Sequence, residues 1–367
     1  MKKSSTRSPR PRASVEKMAA YVPGEQPKAS EIGRLVKLNT NECPYPPSPR
    51  VVASVRRAAE GLRLYPDPAQ RRLREAAGKV FGFSPDRVLG GNGSDELIAL
   101  IARAYVPEGG TILTMKPTYL VYRTAAEGLG ARLVEVPFTK DWRLPEGLWK
   151  RRASVFFLAN PNSPTGTLVP PEEVRSFARR FKGLVVVDEA YGDFASADCL
   201  ELARERPNVV VMRTMSKSFS LAGLRLGLLM GPREVIASLE KLKDSYNLSV
   251  LQLAAAEAAV LDRAHLRRNV SRIKRTRARL VRELLRRGFR TLPSESNFVM
   301  FHLGPELAAK IGDGPGAVRA LRAHGVLVRH YPGEGLADAL RVTVGTDAEI
   351  ARFLRALDAV KTRAPNA

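Results

Sequence analysis

The stretch Leu184-Val185-Val186-Val187-Asp188-Glu189-Ala190-Tyr191 decides the fold class. Four apolar residues in a row, three of them β-branched, read as a strand buried on both faces, and the acidic pair reads as the start of a loop at its carboxyl end. Runs of the same kind recur at Thr111 to Met115, Leu133 to Val136, Val155 to Ala159 and Val209 to Met212, with helically spaced segments between them. This alternation predicts an α/β fold, a mostly parallel sheet covered by helices, with its functional groups at strand ends.

Outward from this core the texture changes. Beyond about Pro232 the pattern predicts long helices over Glu234 to Ser245 and Val250 to Arg287, an apolar segment at Asn297 to His302, a helix near Ala317 to His324 and a strand at Leu340 to Val344. That mixture fits a smaller α+β C-terminal domain. On the other side, Tyr21 to Pro49 is rich in Pro and Gly and reads as an extended arm. Residues 1–17 are basic, and Pro9 and Pro11 oppose an amphipathic targeting helix there, so they read as a flexible tail. The expected organisation is a basic tail at 1–17, an arm at 18–49, a large domain at 50–245 and a small domain at 246–367.

Composition narrows the function classes. The 367 residues are 44% hydrophobic and 26% charged, a globular balance. Cys43 and Cys199, far apart and without metal-ligand spacing, argue against a disulfide framework or a zinc site and fit a reducing cytoplasm. No apolar run reaches the roughly 18 to 20 residues that span a bilayer, and none follows the basic N-terminus as a secretory signal requires. The formal charge of +23 raises the question of a nucleic-acid or polyanion partner. Its densest cluster, Arg267 to Arg287, places Val270, Ile273, Leu280, Val281, Leu284 and Leu285 at helical spacing, ended by Gly288. It reads as one amphipathic helix with a solvated face, and it lacks the interleaved aromatics that stack on bases.

Four short segments carry chemistry. Gly90-Gly91-Asn92-Gly93-Ser94-Asp95-Glu96 precedes the helical run Leu97 to Tyr105, so its glycines permit a tight turn and the first helix amides can hold an anion. The third glycine of a dinucleotide fingerprint is missing. Asn160-Pro161-Asn162-Ser163-Pro164-Thr165-Gly166 follows a strand and alone would be a turn. Asp188-Glu189 could alone hold magnesium, but no phosphate-binding Gly-Lys loop accompanies it. Arg213-Thr214-Met215-Ser216-Lys217-Ser218-Phe219 carries a lysine suited to a Schiff base, or else an exposed charge.

With these four motifs in this order, the chain resembles the fold-type I pyridoxal-phosphate aminotransferases, and within them it is most similar to the histidinol-phosphate aminotransferase family. The resemblance runs from about Met18 onward and includes Tyr21-Val22-Pro23-Gly24-Glu25, Lys37-Leu38-Asn39-Thr40-Asn41-Glu42, Tyr65-Pro66-Asp67-Pro68 and Leu340-Arg341-Val342-Thr343-Val344-Gly345-Thr346. It implies pyridoxal 5'-phosphate as cofactor, with Lys217 as the Schiff-base lysine and proton shuttle and Asp188 keeping the ring nitrogen protonated. Tyr191 and Asn160 would donate to the ring's phenolate oxygen and Tyr119 would stack on the ring. Asn160 is chosen because Ser163 stands where the family commonly has the asparagine before Pro-Thr-Gly. The Ser94 and Asp95 amides, the Thr214 and Ser216 hydroxyls and Arg225 would hold the phosphate.

For the substrate, the same resemblance assigns Arg341 and Arg329 to anionic groups and completes the pocket with Tyr21 from the arm, Asn247, and Tyr65 from a facing subunit. It implies a homodimer that transfers an amino group between histidinol phosphate and 2-oxoglutarate (or glutamate, in reverse), in histidine biosynthesis. Threonine-phosphate decarboxylase and aromatic amino-acid aminotransferase are neighbouring readings. A non-catalytic polyanion-binding protein on this fold is the reading from another class.

Overall fold

The computed structural model describes residues 8–20, 24–31, 33–333 and 335–362. Its largest sheet has seven strands, in the order Val88–Gly91, Gly227–Met230, Val209–Thr214, Leu184–Asp188, Val155–Ala159, Thr111–Lys116, Arg132–Pro137. Gly227–Met230 runs antiparallel to both neighbours, and the remaining pairings are parallel. The strand that opened the sequence reading is buried on both faces: Val185 and Val187 join the core on one side of the sheet, Leu184 and Val186 the core on the other. All five expected strands form. Val88–Gly91 and Gly227–Met230 are only four residues long and include glycine, so no comparable apolar run marks them in the sequence.

A second sheet, antiparallel, follows the order Arg329–His330, Ala339–Thr343, Phe298–His302, Arg290–Thr291. The N-terminal segment joins this part of the molecule: Val36–Lys37 pairs in parallel with Val326–Leu327, and the Thr343 amide donates to the Leu38 carbonyl at 2.9 Å. Asn39, Thr40 and Asn41 are thereby carried to the edge of the large sheet where Leu184–Asp188 ends. Residues 8–20 include one helical turn, Ala13–Glu16, lying against the helix Val121–Leu129.

The helices depart from expectation in one instructive place. The single helix expected over Val250 to Arg287 is two, Val250–Leu261 and Arg263–Arg286, divided at Asp262. Asp262 leaves helical geometry (ψ 62°), accepts the His265 amide at 3.2 Å and caps the second helix. It also accepts the Ser48 hydroxyl at 2.5 Å, and Ser48 in turn caps the helix Pro49–Ala59 by accepting the Arg50 amide at 3.1 Å. One hydrogen-bonded chain thus ties three helix ends together. The basic helix buries Ile273, Leu280 and Leu284 as its spacing predicts, and Leu266 before them, and Gly288 follows it at φ 83°. Leu285, expected on the apolar face, is 54% exposed. The other long helix ends early, at Glu240. Among the described residues no helix is long and apolar enough to cross a membrane.

Replacing Asp262 with Ala should destabilise the protein by about 1 kcal/mol, the usual loss for an N-cap carboxylate. Thermal unfolding of the variant checks this; an unchanged midpoint would show that the break is set by packing instead.

Candidate active site

The parallel strands deliver their loops to one edge of the sheet. Val88–Gly91 points the same way as its parallel neighbours, being antiparallel to a strand that is antiparallel to Val209–Thr214, so the start of the helix Gly93–Tyr105 reaches the same edge. There the loops line a cavity, partly open to solvent and with about 540 Å³ of free space, bounded by Ser94, Asp95, Tyr119, Ser163, Asp188, Tyr191, Thr214, Ser216, Lys217 and Arg225. A second cavity of about 680 Å³ adjoins it and is lined by Thr40, Asn41, Arg329, Tyr331 and Arg341. Tyr119, Ser163, Tyr191 and Lys217 line both. Of the sequence-predicted residues, the four motif segments, Arg329 and Arg341 are therefore brought together.

Asp188 is 3% exposed, and its Oδ2 accepts the Tyr122 hydroxyl at 2.7 Å while its Oδ1 accepts the Ala190 amide at 3.1 Å. Burial pushes its carboxyl up to about 6, against the pull of these two donors. Lys217 is displaced the opposite way: burial, and then the nearby Arg341 guanidinium, push its ammonium down to about 8. Its Nζ donates to the Thr40 carbonyl at 3.2 Å, so the N-terminal segment forms one wall around the amine. Tyr191, 7% exposed, receives the Asn41 amide at 2.9 Å, and Asn41 in turn accepts the Thr343 hydroxyl at 3.1 Å.

At the other end of the cavity is an anion cradle. The helix Gly93–Tyr105 begins beside Arg225, and its first amides have no intrahelical acceptor. Gly93 sits at φ 79°, and a Cβ there would lie 2.8 Å from the Arg225 guanidinium, so the turn admits only glycine. Gly90 and Gly91 have a different place from that expected: they are strand residues, and the tight turn belongs to Gly93 alone. Arg225 pairs with the Asp95 carboxylate at 3.0 Å and reaches Ser216 Oγ at 3.5 Å; Asp95 also accepts the Tyr119 hydroxyl at 3.0 Å. Donors from three loops face one small volume, the arrangement suited to a phosphate group.

The adjoining cavity is electropositive. Arg341, 5% exposed, gives hydrogen bonds to the Asn39 carbonyl at 3.0 Å and Ser163 Oγ at 3.5 Å, while its Nε is buried without an acceptor. Among the described residues it has no carboxylate partner. Its guanidinium lies 5.0 Å from the ring centres of Phe298 and Tyr331, and Arg329 lies over the same Tyr331 ring at 5.6 Å.

Other sequence-predicted residues lie elsewhere in the chain's own structure. The Asn160 side chain is fully engaged with Val169, donating to its carbonyl at 2.9 Å and accepting its amide at 2.8 Å, and it does not line the cavity; Ser163 does. The Asn247 amide donates to the Gly90 carbonyl at 3.1 Å and to Glu96 at 3.0 Å and accepts Gln70 at 2.9 Å. It braces the strand and helix behind the anion cradle and lines neither cavity. Tyr65 is 81% exposed and stacked on Tyr246 at 4.5 Å, outside both cavities of its own chain. Tyr21 lies outside the described residues. Glu189 faces away from Asp188, pairing with buried Arg213 at 2.7 Å.

Sequence reasoning missed Tyr122, Thr40 and Asn41. Tyr122 was legible in part, because it follows Tyr119 by three residues at a helix start, where that spacing places side chains on one face. Thr40 and Asn41 lie in a segment that carries the resemblance but were given no role, since their position depends on pairing with strands roughly 300 residues later in the chain.

Comparisons with known proteins agree with this geometry. The family model of aminotransferase class I and II matches residues 34–357. The chain is 42% identical to the histidinol-phosphate aminotransferase of Geotalea daltonii, over 94% of this chain and 98% of that protein. It is 43% identical to the enzyme of the same name from Citrifermentans bemidjiense, over 94% and 97%. Among solved structures, histidinol-phosphate aminotransferase from Sinorhizobium meliloti in complex with pyridoxal-5'-phosphate superposes with a TM-score of 0.86 at 30% identity, covering 97% of this chain and 98% of that one.

The burial of Asp188 predicts a pH dependence. Its carboxyl titrates near 3.8 when unfolded and about 6 when folded, so the folded protein binds this proton more tightly. The associated stability is full below the unfolded value and is lost as pH rises through the folded one. The gap of roughly two pH units corresponds to about 3 kcal/mol. Asp188→Asn in the ligand-free protein should therefore gain up to about 3 kcal/mol at pH 8 and roughly half that at pH 5. Urea unfolding at both pH values reads the difference, and a gain independent of pH would refute the assignment.

Proposed function

Because this chain belongs to the class I and II aminotransferase family, we propose that it transfers an amino group from histidinol phosphate to 2-oxoglutarate, with pyridoxal 5'-phosphate as its cofactor. The cavity fits that group. The first amides of the helix Gly93–Tyr105, the Thr214 and Ser216 hydroxyls and Arg225 would take the phosphate, and Tyr119 offers an aromatic face. Asp188 would face the ring nitrogen and Lys217 the carbonyl carbon. Tyr191, with Ser163 beside it, would donate to the phenolate oxygen. The cofactor supplies an electron sink for the charge released when a proton leaves the substrate.

The chain's own groups supply the rest. Lys217 Nζ, whose ammonium burial lowers to about 8, would serve as the base that takes the proton from the substrate's amine-bearing carbon and gives it back. Asp188, as an anion, would favour a protonated ring nitrogen, and the Thr40 carbonyl, which accepts from Lys217 Nζ at 3.2 Å, orients the amine. The wall formed by Asn39, Thr40 and Asn41 restricts water around Lys217.

The observation that carries the choice of substrate is the pair Arg341 and Arg329 in the cavity adjoining Lys217. Two guanidinium groups there suit the phosphate of one substrate and the carboxylates of the other, since each can bind either anion bidentately. Tyr65 is assigned to the cavity of a second copy. It stands exposed with Leu62, Leu64 and Tyr246, and a homodimer would cover these apolar side chains. The relatives named above, more than 40% identical over nearly their full length, support the same reading.

Lys217→Ala should abolish repeated turnover, because no other amine lines the cavity among the described residues. The assay is loss of the cofactor's visible band on adding histidinol phosphate and its return with 2-oxoglutarate. Sustained turnover by the variant would refute the lysine's role, and a wild-type band untouched by histidinol phosphate would refute the substrate. Arg329→Ala should lower kcat/KM for histidinol phosphate by about 10- to 100-fold, the loss of one charge-assisted contact, and affect unphosphorylated histidinol far less. An equal loss for both would contradict a phosphate contact.

A further inference from the structure

Asp188 is a buried carboxylate that, among the described residues, forms no ion pair. Its strongest neighbour is a neutral phenol, Tyr122, fully buried, whose hydroxyl donates to Oδ2 at 2.7 Å. The ring of Tyr122 has little freedom. It stacks on Phe157 with ring centres 4.9 Å apart and planes 11° from parallel, and it meets Tyr119 edge-on at 5.8 Å. Tyr122 is carried by the helix Val121–Leu129, and Phe157 belongs to the strand paired directly with Leu184–Asp188, so the hydroxyl is packed against the strand beside the one that bears the carboxylate. The Ala190 amide secures the other oxygen at 3.1 Å. Together the two bonds fix the plane of the carboxyl group.

We propose that Tyr122 is a positioning residue that keeps Asp188 ionised and in one orientation for the cofactor's ring nitrogen. This rests on the assignment of Asp188 made above. Burial and the nearby Asp95 carboxylate both favour a neutral Asp188, whereas a hydrogen bond to the charged form opposes them. A cation in this position would oppose them too, but it would cancel the negative charge that must hold a proton on the ring nitrogen. A phenol donates without cancelling. Tyr122 also keeps its own proton, since burial and the adjacent carboxylate push its ionisation far above neutral pH. Tyr119 and Tyr191 act on Tyr122 itself, each further disfavouring its ionisation. Tyr119 on the cavity wall and Tyr122 behind it therefore divide the work: one faces the cofactor, the other acts through Asp188.

The test is Tyr122→Phe, which removes the hydroxyl and keeps the stacked ring. In holoenzyme carrying isotope-labelled pyridoxal phosphate, the chemical shift of the ring nitrogen should move from the protonated toward the unprotonated value. The kcat for histidinol phosphate should fall about tenfold or more, as for loss of a hydrogen bond to a charged group, with KM little changed. A wild-type shift and wild-type kcat in the variant would overturn the proposal while leaving the role of Asp188 intact. An unprotonated ring nitrogen in the wild type would overturn the assignment of Asp188, and the role of Tyr122 with it. A purely structural tyrosine would alter stability without moving the nitrogen.

Discussion

Desolvation of two opposite charges at one sheet edge governs this molecule. Asp188 is buried and Lys217 half-buried in the cavity wall, neither has an ion-pair partner among the described residues, and desolvation drives each toward its neutral form. A fold gains nothing from such groups on its own, because a buried charge without compensation is a net cost. A ligand with a cationic ring nitrogen at one end and a carbonyl carbon at the other gives each its counterpart. The site is thus complementary to a bound molecule rather than to itself. Groups displaced from their ordinary titration in opposite directions are also what acid and base chemistry near neutral pH requires.

Arg341 extends the same logic. Its guanidinium is buried, rests on carbonyl and hydroxyl oxygens and lies against two aromatic rings, with one nitrogen unsatisfied. Its field lowers the Lys217 ammonium, so the cation that would bind an anionic substrate also helps keep the amine neutral. When an anion reaches Arg341 that effect is reduced, and the lysine becomes more basic. An anion held at Arg341 would therefore be electrostatically coupled to the proton affinity of Lys217.

The parts of this architecture that were legible in sequence share a physical origin. Buried parallel strands need uninterrupted apolar runs, so Leu184–Asp188 and four others stood out, and so did the loops at their ends. Val88–Gly91 and Gly227–Met230 are short and rich in glycine, selected for close backbone approach: a Cβ on Gly227 would lie 2.8 Å from the backbone of Gly93 and Ser94. Their strand character is tertiary, not local. Asp262 was hidden for the opposite reason, since apolar spacing continues across it and only its partners Ser48 and His265 reveal the break. Asn160 and Asn247 illustrate a limit of motif reading: an amide in the right segment can be spent on the backbone behind the site.

The separation of Asp188 from Lys217 is itself held by a buried layer that neither residue touches. Arg213, 5% exposed, pairs with Glu189 at 2.7 Å, Asp193 at 3.0 Å and Asp198 at 3.3 Å. Glu189 is the neighbour of Asp188 in sequence. Asp193 also accepts the hydroxyl of Ser218, the neighbour of Lys217, at 2.5 Å. One guanidinium thus anchors the loop after each of the two strands that present the pair. Such a cluster contributes little net stability, since desolving its charges offsets much of their attraction. It does impose geometry: moving either loop would break several charge-assisted bonds at once in a medium where nothing replaces them. The immediate sequence neighbours of Asp188 and Lys217 therefore perform the structural task that leaves those two side chains free to face a ligand.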